Sequence, residues 1–258
     1  MIDTRLQGDV AVVTGAGRNI GRAIAERFGE EGGRVVVVDI DSESAAETAE
    51  TIADNGGEAI AVTADIADED DVERIVTEAE SAFGPIDVLV NNAAIKEESP
   101  FLEMPTDMFD RTIAVNLRGM FLCTRECAKS MRQSDSGVVI NLSSTSGHKA
   151  EPTSVAYGTT KGAVINFTRS TAEALAEHGI RVNTLTPTRT GKRTLPDEQF
   201  ETKGLSEDDL SDADIVEKIP LGRLGDPRDI ANAAVFLVSD EGEFVNGTEL
   251  RVNGGRSA

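Results

Sequence analysis

Runs of β-branched residues alternate with longer amphipathic stretches along nearly the whole chain, and no other feature restricts its fold as strongly. Strands and helices that alternate in this way form βαβ units around a parallel sheet. Several of the runs are apolar on both faces, as strands buried in such a sheet should be. The chain is therefore predicted to be α/β, a doubly wound sheet of about seven parallel strands with helices on both faces. Strands are expected at 10–14, 34–39, 58–65, 86–91, 137–143, 180–186 and 249–254, and helices at 20–32, 42–55, 68–82, 107–132, 154–177 and 227–239.

The length of 258 residues is at the upper limit of what one hydrophobic core supports, so residues 1–258 are predicted to form a single domain. The sequence contains no internal repeat and no low-complexity linker. One polar stretch, at about 187–215, has no periodic pattern and carries Gly191 and Gly204. Its length suits a loop that closes over a binding site, so a substrate lid is expected there.

The charge balance is strongly acidic, with 46 Asp and Glu residues against 25 Lys and Arg residues and a formal net charge of -21. Such a surface repels nucleic acids and anionic membranes, so neither is expected as a partner. The acidic residues recur along the whole chain and lysines are few, which resembles proteins from salt-loving organisms. An ordinary acidic enzyme is the alternative interpretation.

The sequence also gives expectations about location and metal binding. No apolar run approaches the roughly 18 residues of a transmembrane helix, and the N-terminal segment lacks the pattern of a secretory signal, so a cytoplasmic protein is expected. Cys123 and Cys127 stand four residues apart without a histidine or third cysteine nearby. That is too few ligands for zinc, so both are predicted to be small buried hydrophobic residues, and no metal is expected.

A glycine-rich turn, TGAGRNIG at 14–21, separates the first predicted strand from its helix. Its backbone N–H groups and the helix N-terminus can face a pyrophosphate. The second strand ends in Asp39, whose carboxylate can bind both hydroxyls of an adenosine ribose and repels a 2′-phosphate. A Rossmann-type dinucleotide site that prefers NAD is therefore predicted, with NADP as the alternative because Arg18 could bind the additional phosphate. The candidate contacts on the turn are Gly15, Arg18, Asn19 and Ile20.

Tyr157 and Lys161 stand four residues apart, so both lie on one face of a predicted helix. An ammonium group beside the phenol favours the ionised phenol and is expected to lower its pKa from about 10 towards neutral pH. Ser144 follows the strand predicted at 137–143, at the edge of the sheet where ligands of open α/β folds bind. The three residues form a candidate catalytic site.

Along essentially its whole length, the chain resembles the single-domain branch of the short-chain dehydrogenase/reductase family. The resemblance is carried by motifs in the family's order and spacing, namely TGAGRNIG at 14–21, Asp39, 64–66, NNAA at 91–94, 115–116, 141–144, Tyr157 with Lys161, 181–183 and 252–255. It implies an NAD(P)-dependent oxidoreductase that transfers a hydride between nicotinamide and a secondary alcohol or carbonyl. It also implies a homotetramer built from the helices at 107–132 and 154–177 and the C-terminal strand.

The resemblance implies a role for each matched position. Tyr157 would be the general acid/base, and Ser144, favoured over Ser143 by its spacing to Tyr157, would hydrogen-bond the substrate oxygen. Lys161 would bind the nicotinamide ribose, and Asn116 would hold a water that relays protons to solvent. The remaining cofactor contacts would be Asp65, Ile66, Asn92, Pro187 and Thr190. For Asn92 and Asn116 the alternative is that they only satisfy backbone groups.

Three positions depart from the family's pattern near the cofactor. Asn19 replaces the middle glycine, and since asparagine tolerates a positive φ, the turn is expected to be preserved. Ala94 replaces a glycine and narrows the space expected beside the nicotinamide. Thr188 follows Pro187 where the family has a glycine, so the roles of Pro187 and Thr190 rest on the weakest match.

The stretches that frame the family's substrate pocket are rich in basic residues for such an acidic chain. They favour a small polar substrate with an anionic group such as a carboxylate, although solvated loop charges, or a contact of Arg189 with the pyrophosphate, would explain them equally. The first interpretation is a sugar or sugar-acid dehydrogenase, and the alternatives are a 3-oxoacyl thioester reductase using NADPH and a non-catalytic nucleotide-sensing protein. The candidate substrate contacts are Lys96, Lys149 and Arg189, with His148, Lys192 and Arg193 in the same stretches.

Overall fold

A parallel sheet of seven strands forms the centre of the part of the chain that the structure, a computed structural model, describes: residues 5–191 and 212–256. In chain order the strands are β1 Val10–Thr14, β2 Arg34–Asp39, β3 Glu58–Thr63, β4 Val88–Asn91, β5 Gly137–Leu142, β6 Ile180–Pro187 and β7 Glu249–Val252. Their order across the sheet is β3-β2-β1-β4-β5-β6-β7. The strand order reverses between β1 and β4, which is where doubly wound sheets bind ligands. The predicted α/β fold with its parallel sheet is confirmed.

Helices connect the strands and cover both faces of the sheet. On one face, Phe28, Val37 and Val235 belong to a buried cluster that joins α1, α2 and α8 to the strands. On the other face, Ile75 and Leu89 belong to a second cluster that holds α3, α5 and α6. Within the described residues, no helix is both long and apolar enough to cross a membrane. The helices are α1 Asn19–Glu30, α2 Ser42–Asp54, α3 Glu69–Phe83, α4 Thr106–Ile113, α5 Met120–Met131, α6 Val155–Leu175, α7 Asp212–Glu217 and α8 Pro227–Val238.

The helix predicted at 107–132 is not continuous. It ends as α4 at Ile113, continues as a π-helical segment, Ala114–Gly119, and resumes as α5. At the end of that segment Gly119 packs against Ile66, and a Cβ at Gly119 would lie 2.9 Å from the Ile66 side chain. Single-turn π-helices within a longer helix often occur at functional sites, because they reorient the residues they contain.

The predicted lid at about 187–215 is described only at its two ends. Asp212–Glu217 is helical, so the expectation of an irregular stretch up to residue 215 is wrong for its last residues. The buried Ile215 side chain anchors this helix to the rest of the fold. Lys192 and Arg193 lie outside the described residues, as does most of the predicted lid.

Cys123 and Cys127 lie on the face of α5 that packs against the sheet, and both are buried free cysteines. Burial raises the pKa of Cys123 to about 12 and raises the pKa of Cys127 well above its ordinary value. Both thiols are therefore uncharged at neutral pH, and they pack as small apolar side chains.

Candidate active site

The glycine-rich turn between β1 and α1 leaves no room for side chains at two of its glycines. A Cβ at Gly15 would lie 2.8 Å from the Cα atom of Ala93, and a Cβ at Gly21 would lie 2.1 Å from the carbonyl oxygen of Gly15. Gly15 has a φ of 63°, and Asn19 has a φ of 50°. Asn19 therefore adopts the left-handed conformation expected of it, and the turn keeps its shape without the family's middle glycine.

The turn is held in place from β4 by Asn92. The Asn92 Nδ2 group donates to the carbonyl oxygens of Thr14, at 3.0 Å, and of Gly15, at 2.9 Å. The backbone N–H of Asn92 also donates to the Thr14 hydroxyl at 3.1 Å. Asn92 thus satisfies backbone groups, which was the alternative left open by the sequence, and through them it fixes the position of the glycine turn.

The N-terminus of α1 faces the turn without a capping side chain. Arg18 occupies the cap position and makes no side-chain hydrogen bond there. By contrast α2, α3 and α8 each begin with an aspartate that accepts from the first turn. The N–H groups that Arg18 leaves uncapped, together with the helix dipole and the half-buried Ile20 beside them, fit the phosphates of a dinucleotide.

Asp39 ends β2 with its carboxylate directly against the turn. Its Oδ2 atom accepts from the backbone N–H of Gly17 at 2.9 Å, and its Oδ1 atom accepts from the backbone N–H of Asp41 at 3.1 Å. Each oxygen keeps a second lone pair for a ribose hydroxyl. Arg18 is exposed, and its charge acts on Asp41, whose pKa is lowered mainly by Ser44 and to a smaller extent by Arg18.

Asp65 and Ile66 follow β3, beside Asp39 in the sheet. The Asp65 Oδ1 atom accepts from the backbone N–H of Ala67 at 2.9 Å, and Ile66 is buried. Ile40, directly after Asp39, is 67% exposed although it is a large apolar residue. A flat adenine ring would cover it, and the sequence analysis missed this residue. The signal for it is an apolar side chain immediately after the acid that ends the second strand.

The candidate catalytic pair lies on α6. The Lys161 Nζ atom is 5.6 Å from the centroid of the Tyr157 ring, and it donates to the carbonyl oxygen of Leu142 at 2.7 Å. Burial lowers the pKa of Lys161 to about 8. The Lys96 Nζ atom lies 5.9 Å from the same ring centroid. The structure therefore brings two ammonium groups to the single tyrosine of the chain.

The two serines that end β5 have different surroundings. Ser144 lines a cavity of about 180 Å³ together with Tyr157, and its Oγ atom accepts from the backbone N–H of Ser146 at 3.2 Å. Because Oγ is the acceptor in that bond, the hydroxyl proton can be donated to a substrate oxygen. Ser143 is buried, and its hydroxyl donates to the carbonyl oxygen of Lys161 at 2.8 Å. The geometry thus supports Ser144, as the spacing predicted.

Asn116 is buried in the π-helical segment Ala114–Gly119. Its Oδ1 atom accepts from the backbone N–H of Ile95 at 2.8 Å, and its Nδ2 group donates to the Ile95 carbonyl oxygen at 2.9 Å and to the Thr160 hydroxyl at 3.2 Å. The side chain therefore ties the segment after β4 to α6 beside Tyr157. Its role in holding a relay water stays a prediction.

Of the three predicted substrate contacts, two line the cavity that contains Tyr157. Lys96 and Arg189 are among its lining residues. Lys149 is not, because it lines a neighbouring depression and pairs with Glu151 at 3.2 Å. Lys149 is therefore not part of the proposed substrate site. Arg256, which the sequence analysis missed, lines the cavity instead.

The comparisons with known proteins agree with one another. A family model described as enoyl-(acyl carrier protein) reductase matches residues 15–257. An uncharacterized oxidoreductase of Thermotoga maritima is 39% identical over 252 residues, which cover 97% of this chain and 96% of the relative. The 3-oxoacyl-(acyl-carrier-protein) reductase FabG of Staphylococcus epidermidis is 39% identical over 246 residues, which cover 95% of this chain and 97% of the relative.

A solved structure supports the same assignment. The crystal structure of an NAD+-bound xylitol dehydrogenase matches with a TM-score of 0.91 and 32% sequence identity, over 97% of this chain and 100% of that chain. The chain belongs to the short-chain dehydrogenase/reductase family. As a member, it is an NAD(P)-dependent oxidoreductase that acts on CH–OH groups, and the expectation of an enzyme is confirmed.

The segment after β6 closes the site of this dehydrogenase/reductase. Pro187 pairs with Val252 of β7, and the Thr190 hydroxyl donates to the carbonyl oxygen of Thr188 at 2.9 Å. Thr190 also forms an isolated bridge with Gly225. Thr188, which stands where the family has a glycine, is the residue of this segment that lines the cavity beside Arg189. Pro187 and Thr190 hold it there.

Proposed function

We propose that this enzyme is an NAD-dependent dehydrogenase that oxidises a secondary hydroxyl of a sugar or sugar acid. The observation that carries the proposal is the position of Asp39, buried at the end of β2 with both carboxylate oxygens beside the glycine turn. A carboxylate there favours two ribose hydroxyls and repels a 2′-phosphate. Arg18, the residue that could bind such a phosphate, has its charge near the Asp41 carboxylate instead.

The residues present fit a dinucleotide. The turn with Gly15 and Asn19, and the uncapped start of α1, would hold the pyrophosphate. Asp39 would bind the adenosine ribose, with Ile40 and Ile66 near the adenine. At the other end the proposed contacts are Tyr157, Lys161, Pro187 and Thr190, while Asp65 and Asn92 support the site from β3 and β4.

The catalytic residues would act on the substrate hydroxyl in one step. When bound, the nicotinamide supplies the hydride acceptor. Tyr157 would take the hydroxyl proton as general base, and Ser144 would donate a hydrogen bond to the same oxygen. The charge of Lys161, 5.6 Å from the Tyr157 ring centroid, favours the ionised phenol that this step requires. Asn116 holds the backbone beside this pair, and we assign it the proton relay.

A small polar substrate fits the cavity beside Tyr157. Its volume is about 180 Å³, and hydroxyl, cationic and carboxylate side chains supply most of its lining. The chain has no Trp and only one Tyr, so an aromatic wall for a steroid is absent from its composition. The similarity to a xylitol dehydrogenase supports a polyol or sugar as the substrate class.

A substrate panel with NAD and NADP in parallel tests this proposal through the absorbance of the reduced nicotinamide. The panel contains sugars, sugar acids, simple secondary alcohols and a 3-oxoacyl thioester. The expected result is reduction of NAD by a sugar or sugar acid, with little activity on NADP. The Asp39→Ala variant should gain activity with NADP, because it removes the charge that repels a 2′-phosphate. An unchanged preference in this variant would contradict the role of Asp39.

A 3-oxoacyl thioester reductase using NADPH is the second candidate. It is favoured by the 39% identity to the 3-oxoacyl-(acyl-carrier-protein) reductase FabG of Staphylococcus epidermidis. Activity in the panel only with NADPH and the thioester would establish this function and overturn the first one.

Further properties belong to the same proposal. We assign the enzyme a homotetrameric assembly through α5 and α6, where Phe121 is 44% exposed beside a groove that also contains Phe167 and Leu175. A single domain over 1–258, a cytoplasmic location and a salt-loving source are proposed on the sequence pattern and on the net charge of -21. Neither nucleic acid nor a membrane is proposed as a partner.

A further inference from the structure

Arg256 is a buried cation in the cavity that contains the catalytic residues. It follows β7, and its exposed fraction is 7%. The Arg256 Nη1 group donates to the Thr188 hydroxyl at 3.0 Å, which places the guanidinium group at the end of β6. Ser144 and Tyr157 line the same cavity. Arginine is seldom buried to this extent, so a buried arginine facing a substrate cavity calls for a chemical explanation.

The turn after β7 fixes the position of Arg256. The Asn253 Nδ2 group donates to the carbonyl oxygen of Arg256 at 2.8 Å, and the backbone N–H of Arg256 donates to the carbonyl oxygen of Asn253 at 3.1 Å. Gly254 and Gly255 have φ values of 64° and 82°, which other residues rarely adopt. The turn therefore directs the chain back towards the cavity and presents the arginine with little conformational freedom.

The charges around the cavity favour an anion. Three cationic side chains line it, Lys96, Arg189 and Arg256, against one carboxylate, Glu151. Lys96 pairs with Glu98 at 3.1 Å, and Glu151 pairs with Lys149 at 3.2 Å. A guanidinium group binds a carboxylate through two parallel hydrogen bonds, which gives both affinity and a defined orientation.

We propose that Arg256 binds a carboxylate of the substrate and makes the enzyme selective for sugar acids over neutral sugars and polyols. This inference rests on the proposed function and narrows its substrate class. The carboxylate would lie against Arg256 at the end of β6, while the hydroxyl to be oxidised lies against Ser144 and Tyr157. Arg256 is thus a specificity-determining residue, and it takes no part in the transfer of the proton or the hydride.

The test compares acids with neutral partners of the same carbon chain: gluconate with sorbitol, xylonate with xylitol, and galacturonate with galactose. Calorimetry measures binding of each compound to the NAD complex at constant salt concentration, and absorbance measures turnover. In the unaltered enzyme at least one acid should bind more tightly than its neutral partner. In Arg256→Met the dissociation constant and KM for that acid should rise about ten- to a hundredfold, because a charged hydrogen-bonded contact is lost. The values for the neutral partner should stay unchanged.

Two further variants separate recognition from a structural effect. Arg256→Lys keeps the charge but not the bidentate geometry, so it should recover part of the lost affinity. Arg251→Gln removes a cation from β7 that pairs with Glu249 and is 47% exposed, and it should leave the preference for the acid unchanged. Equal losses for acid and neutral compound in Arg256→Met would show a purely structural role and overturn the inference.

The outcomes also distinguish this inference from the proposed function. Oxidation of neutral sugars with no preference for acids would retain the proposed function and overturn the role of Arg256. Binding of an acid that depends on Arg256, without turnover of any sugar compound, would retain the role of Arg256 and overturn the proposed reaction. An unaltered enzyme that neither binds nor oxidises any of the acids would overturn the inference.

Discussion

At the scale of single residues, Lys161 has the most restrictive surroundings in the site. It is buried between β5 and α6, where it donates to the carbonyl oxygen of Leu142 and stands near the Tyr157 ring. Burial disfavours the charged amine and lowers its pKa from 10.5 to about 8. The same charge that favours the ionised phenol therefore costs folding free energy at neutral pH.

This cost predicts a particular dependence of stability on pH. Because the pKa of Lys161 is lower in the folded than in the unfolded protein, the unfolded state binds more protons between about pH 8 and pH 10.5. The contribution of Lys161 to the free energy of unfolding is therefore least favourable below pH 8 and rises through that window. Lys161→Met should remove this rise and stabilise the cofactor-free protein at pH 7 by about 1–3 kcal/mol.

Denaturant unfolding across the same pH range measures this effect. Lys129→Met is the matched control, because Lys129 is an exposed lysine whose removal should leave the rise in place. Identical pH dependence in Lys161→Met and the unaltered protein would contradict the burial of a charge at this position.

The sequence predicted the catalytic residues better than those that select the substrate. The spacing of Tyr157 and Lys161 is a local property of one helix, so it places both on one face whatever the rest of the fold does. Arg256 is different, because its contact with Thr188 depends on β7 lying beside β6. No local pattern contains that information. Lys149 shows the opposite error, since a residue close in sequence to Ser144 turns towards a different depression.

At the scale of secondary structure elements, the strands were predictable because their residues are β-branched and apolar on both faces. The ends were less so. The strand predicted at 58–65 ends at Thr63, and Asp65 already bonds within the following turn. The π-helical segment Ala114–Gly119 was not predictable, because it is held by contacts distant in sequence, such as that of Asn116 with Ile95. The helix at Asp212–Glu217 was missed because its sequence is polar and short.

The candidate site is a property of the sheet edge. The carboxyl ends of β1 and β2 supply the glycine turn and Asp39, and the ends of β5 and β6 supply Ser144 and Thr188. Parallel strands direct their carboxyl ends to one edge, so residues far apart in sequence meet there. This explains why a prediction of strand order by itself was sufficient to place most of the cofactor site.

At the scale of the whole molecule, the dominant feature is the net charge of -21. Arginines are shared among acidic partners on the surface, as Arg22 is between Glu26 and Glu47. Crowding of acids is also visible at Asp9, where burial and the neighbouring Asp87 and Asp240 raise the pKa to about 6. Self-repulsion of this kind is relieved when salt screens the charges.

The folded enzyme is therefore expected to require salt. Thermal unfolding in KCl from 0.1 M to 3 M should give a melting temperature that rises steeply with salt concentration, and activity should be lost on dilution. Sucrose at matched osmolality is the control, because it is excluded from protein surfaces without screening charge. Full stability and activity in dilute buffer would support the ordinary acidic enzyme instead.

The central claim is that Tyr157 transfers the substrate proton beside a bound NAD. It is tested most directly by Tyr157→Phe, with kcat and the dissociation constant of NAD measured on the same preparation. General acid/base catalysis contributes about 10²- to 10⁴-fold, so kcat should fall by at least that range while NAD binds as it does to the unaltered enzyme. A variant that turns over substrate at a comparable rate would contradict the assignment of Tyr157.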